Sequence, residues 1–313
     1  MNVDSPLFID PILLEKSNIP IIKTEAYEVF RTHFSRIIRL LLISKKEGDA
    51  PWRAARQQLN LREPPENGLG YGSGDRPGTS RPDTIRETIL RTTKEIIELG
   101  ASDPEMISLI GFSEENVGPD TISDFTTRVI APQLALITHN LCKEASIPTK
   151  ISALTSDIAL PHYKNTKGQE RAIMLVPRDI VRELPAANSW SDIEQAANAN
   201  AAIRARVNAF LAGIVKPTVS DRKAAVRFAT LESAQLFELF IAAVKEHSTY
   251  YDPNHDALGY YKLKDIISSD KYTFKSTRTY NLSEGVQEVR NVVTDTIKMF
   301  KHHVENGNLW EEL

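Results

Sequence analysis

Apolar side chains recur every three or four residues through one long stretch of this chain after another, and the first β-type pattern is met only near residue 150. In EAYEVFRTHFSRIIRLLLISKK, Phe30, Phe34, Ile37 and Leu41 form a helical stripe from which Arg31, Arg36 and Arg39 are largely excluded. PWRAARQQLN reads as a second helix with Pro51 in its first turn and Trp52, Arg53 and Arg56 along it. DTIRETILRTTKEIIELG reads as a third, with Asp83 as candidate cap and Gly100 as stop. KISALTS and RAIMLVP follow as two short strands around the polar connection LPHYKNTKGQE.

Helical patterns return in SWSDIEQAANANAAIRARVNAFLAGIV and in AAVRFATLESAQLFELFIAAVKEHS, read as one long helix. The last, GVQEVRNVVTDTIKMFKHHVEN, carries Val286, Val289, Val293, Ile297, Phe300 and Val304 on one stripe, behind Asn281 and Glu284 in capping-box spacing. Strands do not alternate with helices, so a doubly wound sheet is not expected. The expected fold is α+β, mainly α-helical with a small β element. Residues 1–148 form an N-terminal helical region with a Gly-rich loop at about 62–82, and residues 149–313 a short β element followed by a helical region.

With 313 residues, 41% of them hydrophobic, the chain can build a core of useful size without disulfide staples. Its single cysteine, Cys142, sits among apolar neighbours at helical spacing and reads as a buried structural thiol of a reducing cytoplasm. The first twenty residues lack a basic stretch followed by an apolar run, and no segment approaches the ~20 apolar residues of a membrane span. A net charge of -3 gives no global footprint for nucleic acid, which leaves local basic patches as the places to look.

Three such patches stand out: Arg53 and Arg56 beside Trp52, Arg76 and Arg81 in the Gly-rich loop, and Lys275 and Arg278 in KYTFKSTRTY. The last also reads as a strand with one wet face. GLGYGSG is preceded by no strand and closed by no Lys-Ser/Thr pair, so it is a poor phosphate-cradling loop. It reads as a surface loop, or one that orders on a partner.

GPDTISDFTTRVIAP, residues 118–132, has two readings. Thr121 and Asp124 have capping-box spacing, Asp120 suits a first helical turn, and Pro132 would kink or end the helix. Alternatively Asp120 and Asp124, as catalytic acids, converge with Glu114 and Glu115 on Mg²⁺ or Mn²⁺. Pro119-Asp120 matches one half of a PD-(D/E)XK motif, but the strand-borne Glu-x-Lys or Asp-x-Lys it needs does not follow within a few tens of residues, since Glu170 and Asp179 have no lysine two places on, so the catalytic set is incomplete. His162, His255, His302 and His303 lack metal-ligand spacing.

At LFIDP, GLGYG, GPDTISDFTT, IMLVPRDIV and FKHHVENGNLWEEL the chain resembles a set of bacterial restriction-endonuclease-like defence proteins. There, a region like this one precedes a C-terminal PD-(D/E)XK nuclease-like domain. The resemblance implies the regulatory or nucleic-acid-engaging part of an anti-phage nuclease-type effector, acting with a protein partner or a missing nuclease domain. The chain stops just after Trp310, where that domain would begin, which reads as a fragment or a split subunit. The alternatives are a metal-dependent nuclease in its own right through Asp120 and Asp124, and a structural subunit of an oligomeric complex joined through the last helix and Tyr250, Tyr251, Tyr260 and Tyr261.

Overall fold

The stripe on residues 27–43 becomes a helix against which those over Ala50–Gln58, Asp83–Glu98 and Pro119–Val129 pack. In the computed structural model, helix α1 (Tyr27–Ile43) buries Phe30, Phe34, Ile37, Ile38 and Leu41 and leaves Arg36 and Arg39 in solvent. The structure describes residues 7–60, 66–69, 83–114, 117–152, 155–164, 168–182, 201–212, 214, 216–252 and 293–294. The chain divides into two compact units, Met1–Asp252 and Pro253–Leu313. In the second unit Val293 and Thr294 are helical. The rest of the stripe expected over 286–304, together with KYTFKSTRTY, lies outside the described residues.

Helix α2 (Ala50–Gln58) returns antiparallel to α1, and the connection is held by one side chain. Asp49 caps α2 by accepting from the Trp52 amide at 2.9 Å, and it also takes the Ser44 hydroxyl and the Lys45 amide. These bonds, led by that from Trp52, hold its carboxyl down to about 2. Pro51 occupies the first turn, where its missing N–H costs nothing. At the far end of the hairpin, His33 Nε2 lies 3.2 Å from the Gln58 carbonyl, which requires that nitrogen to carry the proton.

Helix α3 (Asp83–Glu98) packs on both, and it ends as expected at Gly100, whose φ of 104° only glycine adopts without strain. The Gly100 and Ala101 amides close a Schellman pair onto Ile97 and Ile96. Helices α4 (Met106–Ser113), α5 (Pro119–Val129) and α6 (Ala131–Glu144) follow. α6 ends in the same way with Ser146 at φ 55°, a left-handed position held by a residue that pays for its Cβ.

Among the described residues the β element is three separate antiparallel pairs. Strand β1 (Phe8–Ile9) pairs with β6 (Val181–Arg182), β2 (Lys150–Ser152) with β3 (Thr155–Leu160), and β4 (His162–Lys164) with β5 (Glu170–Ala172). The expected strands at 150–156 and 171–177 are therefore redrawn. The polar connection between them contributes β4, while Ile173–Val176 leaves the ladder. The Met174 amide donates instead to the Glu66 carbonyl and the Leu175 amide to Thr138 Oγ1, which satisfies the backbone of this run outside a ladder and buries Met174.

Helix α7 (Ala201–Leu211) packs on α8 (Val219–Thr230), which leads into α9 (Ala234–His247). The single helix expected over 224–248 is broken at Leu231–Ser233, because Ser233 caps α9 by accepting from the Leu236 amide. Local hydrogen bonding overrides a continuous apolar pattern there. The composition boundary at 148 falls inside the first unit, where the β1–β6 pair joins residues from either side of it.

The architecture is mainly α-helical with a small β element, as the periodicities imply.

Candidate functional site

Helix α5 carries the 118–132 motif, and its polar side chains tie together segments far apart in sequence. Its start is set by Pro119 behind Gly118, and no side chain caps it. The capping box expected from Thr121 and Asp124 is therefore not formed. The proline fixes the first turn two residues earlier, so both residues lie inside the helix and are buried. Asp120 does stand in the first turn, as the macrodipole favours. α5 ends at Val129, just ahead of Pro132, which has no N–H to carry it on. The break falls at Ile130, and Pro132 occupies the first turn of α6.

Ser123 Oγ on α5 accepts from the Ile9 amide at 3.0 Å, anchoring β1. Thr127 Oγ1 accepts from Asn67 Nδ2 at 3.2 Å, and Arg128 faces Glu66 at 3.7 Å, so α5 also anchors the stem leading into the Gly-rich loop. Burial pushes the Glu66 carboxyl up, and Arg128 and Arg171 only partly oppose it. Asp10, fully buried, caps the turn at Pro11–Lys16 through the Ile12 amide and pairs with Arg182 of β6. LFIDP, the start of GLGYG, GPDTISDFTT and IMLVPRDIV thus meet around one helix. The cavity at this junction, about 10 Å³, is lined by Asp10, Arg182, Ser108, Phe112 and Ile122 and has room for at most one water. Its logic is structural: it fastens the arm and the loop stem to the helical core.

The acids proposed for a metal site divide differently. Glu114 at the end of α4 accepts the Thr92 hydroxyl at 2.6 Å and pairs with Arg227, which also pairs with Glu95. Its backbone carbonyl takes the buried Lys223 ammonium at 2.7 Å. Asp120 and Asp124 share α5, and Glu115 lies outside the described residues. Among the described residues no group of three or more His, Cys, Asp or Glu is placed to hold a metal ion. Cys142 is buried and unbridged. His162 Nδ1 faces the Leu160 carbonyl at 3.0 Å, while His255, His302 and His303 lie outside the described residues, as do Tyr260 and Tyr261.

Of the basic residues, Arg76, Arg81, Lys275 and Arg278 lie outside the described residues, and Arg53 and Arg56 fall on α2. Trp52 is buried and donates its indole N–H to Glu87, which also pairs with Arg56. Arg53 is exposed and reaches back to the Gly48 carbonyl. The larger feature was missed by reading short motifs singly. Residues 31–60 hold seven cations (Arg31, Arg36, Arg39, Lys45, Lys46, Arg53 and Arg56) against two acids, Glu47 and Asp49, a local net charge of +5 in a chain of -3.

Arg31 is spent internally on Asp103 and Glu105, where Tyr27 and Lys245 also converge. Burial, then the hydrogen bond to Glu105, raises the Tyr27 hydroxyl well above its usual range. Arg36, Arg39, Lys45, Lys46 and Arg53 are exposed with no acidic partner among the described residues. Beside Lys45 and Lys46 a surface groove of about 450 Å³ runs on past Arg91 and Lys94, which pair there with Glu47 and Glu98. A sliding charge count would have found this patch; aromatic-basic motif matching did not.

The chain belongs to the family described as Domain of unknown function (DUF8370), which matches residues 1–188. That span holds both the α5 junction and the α1–α2 hairpin, and it stops before α7. No curated protein and no solved structure matches the chain. No helix among the described residues is long and apolar enough to cross a membrane.

Proposed function

We propose that this chain is the nucleic-acid-engaging, regulatory part of a cytoplasmic nuclease-type effector of bacterial defence, working with a partner protein or a further nuclease domain. The observation that carries the binding half is the +5 hairpin with its five exposed cations. Such a surface is costly for a lone domain through self-repulsion, and a phosphate backbone neutralises it with release of counterions. The effector half rests on the resemblance of the motifs that meet at α5.

The reading is tested by titrating the purified full chain into labelled DNA and RNA at about 100 mM salt. Micromolar binding that weakens when Lys45 and Lys46 are changed to glutamine supports it. The absence of binding to either nucleic acid sinks it.

A nuclease acting through Asp120 and Asp124 is the weaker reading, since Glu114 is committed to Arg227 and Thr92. It predicts Mg²⁺- or Mn²⁺-dependent cleavage that Asp120→Asn abolishes with little change in melting temperature.

A further inference from the structure

Resting on that reading, we infer that the α1–α2 hairpin grips the two phosphate rows of a nucleic-acid duplex and reads no bases. The exposed cations fall in two rows. Arg36 and Arg39 lie one turn apart on the outer face of α1, and Lys45, Lys46 and Arg53 follow on the connection and the first turns of α2. Helices packed as an antiparallel pair have axes about 8–10 Å apart. That separation is of the order of a groove of duplex nucleic acid, about 6 Å wide for the minor and 12 Å for the major groove of B-form DNA. Cations carried on two helices that far apart suit two strands of phosphate better than one.

What the hairpin lacks is as informative. Binding to single strands relies on exposed aromatic rings on which bases stack. Between residues 31 and 60 the aromatic side chains are His33, Phe34 and Trp52, and none is exposed. His33 is turned to the Gln58 carbonyl and Trp52 to Glu87. α1 carries no Asn or Gln, so the bidentate reading of adenine has no donor on its row, and on α2 the exposed amide is Gln57, one turn beyond Arg53. Leu42 and Ile43, 55% and 65% exposed at the end of α1, add apolar contact at the edge of the patch. With Val29 they are too few to seat a helix in a lipid surface, which takes a continuous apolar face.

The test uses the full chain with a 20-base-pair DNA duplex of two unrelated sequences, an RNA duplex, and one single strand of each, over a salt series. With five phosphate contacts, log K against log salt should have a slope of about -4.5, a roughly 500-fold loss between 50 and 200 mM salt. The two DNA sequences should bind within about twofold of each other, and each more tightly than its single strand. Lys45→Gln with Lys46→Gln should reduce the slope by about 2, as should Arg36→Gln with Arg39→Gln, with the melting temperature checked for each.

Equal affinity for DNA and RNA duplexes assigns the contact to phosphate alone, and a preference between them identifies the helical form gripped. Preference for single strands, a tenfold sequence preference, or slopes unmoved by both variants overturns the duplex inference while leaving the nucleic-acid reading standing. No binding to any probe overturns both. Binding to vesicles of anionic lipid, lost in Leu42→Ser with Ile43→Ser, would assign the surface to a membrane and overturn both as well.

Discussion

Asp10 and Arg182 meet as a buried ion pair across the β1–β6 ladder, 172 residues apart in sequence. Asp10 is fully buried and spends its other oxygen on the Ile12 amide, so the pair both closes the ladder and starts the first turn. Arg182→Met leaves that carboxylate buried without its cation, which should destabilise the fold by about 3–5 kcal/mol in urea unfolding. The double variant Asp10→Asn with Arg182→Met should recover part of the loss. A single variant within ~1 kcal/mol of the parent would show that the pair does not hold β1 in place.

Ser123 tests the junction from the other side. Ser123→Ala strands the buried Ile9 amide and should cost about 1–3 kcal/mol. Asp120→Asn, in the first turn of the same helix, should cost under about 1 kcal/mol from the macrodipole. Equal losses, measured by thermal melts of the two variants, would contradict the assignment of the anchoring role to Ser123.

Ser146 offers a gain. Its φ of 55° costs an L-residue with a Cβ what glycine avoids, and it sits exposed at the end of α6. Ser146→Gly should stabilise the chain by about 0.5–1 kcal/mol after the greater entropy of glycine in the unfolded chain is deducted. A loss of stability on that substitution would mean that the serine hydroxyl contributes more than its backbone strain costs.

His33 should leave a pH signature. Burial first, with Arg36 nearby, lowers its affinity for a proton, although the Gln58 carbonyl opposes this. Its folded-state pKa lies below the unfolded value of 6.5, so the unfolded chain binds the extra proton first. Stability is therefore full above about pH 6.5 and falls as pH drops towards the folded value, by at most ~1.4 kcal/mol per pH unit. In His33→Gln the slope of stability between pH 7 and 5 should flatten. An unchanged slope would place the titrating group elsewhere.

The helices were legible because their apolar residues repeat at 3.6, and the stripe Phe30, Phe34, Ile37, Leu41 is buried as that period requires. Gly100 and Pro51 marked ends correctly, since each acts through its own backbone. Thr121 and Asp124 misled. Capping-box spacing is a local pattern, and Pro119 settled the start of the helix before it could operate. The strands at 150–182 were only half legible, because pairs of two or three residues depend on partners that no local pattern announces.

For the candidate site the division is similar. Sequence by itself determined the charge of the α1–α2 hairpin, since seven cations against two acids within 30 residues is a matter of covalent order. Only the tertiary structure decided which of those charges remain available. Arg31 is drawn inward to Glu105 and Arg56 to Glu87, while Arg36, Arg39, Lys45, Lys46 and Arg53 stay in solvent. The same holds for Asp10 and Arg182: each is an ordinary surface-type residue in sequence. Burial makes them partners, because an unpaired charge taken out of water costs more than the chain can bear.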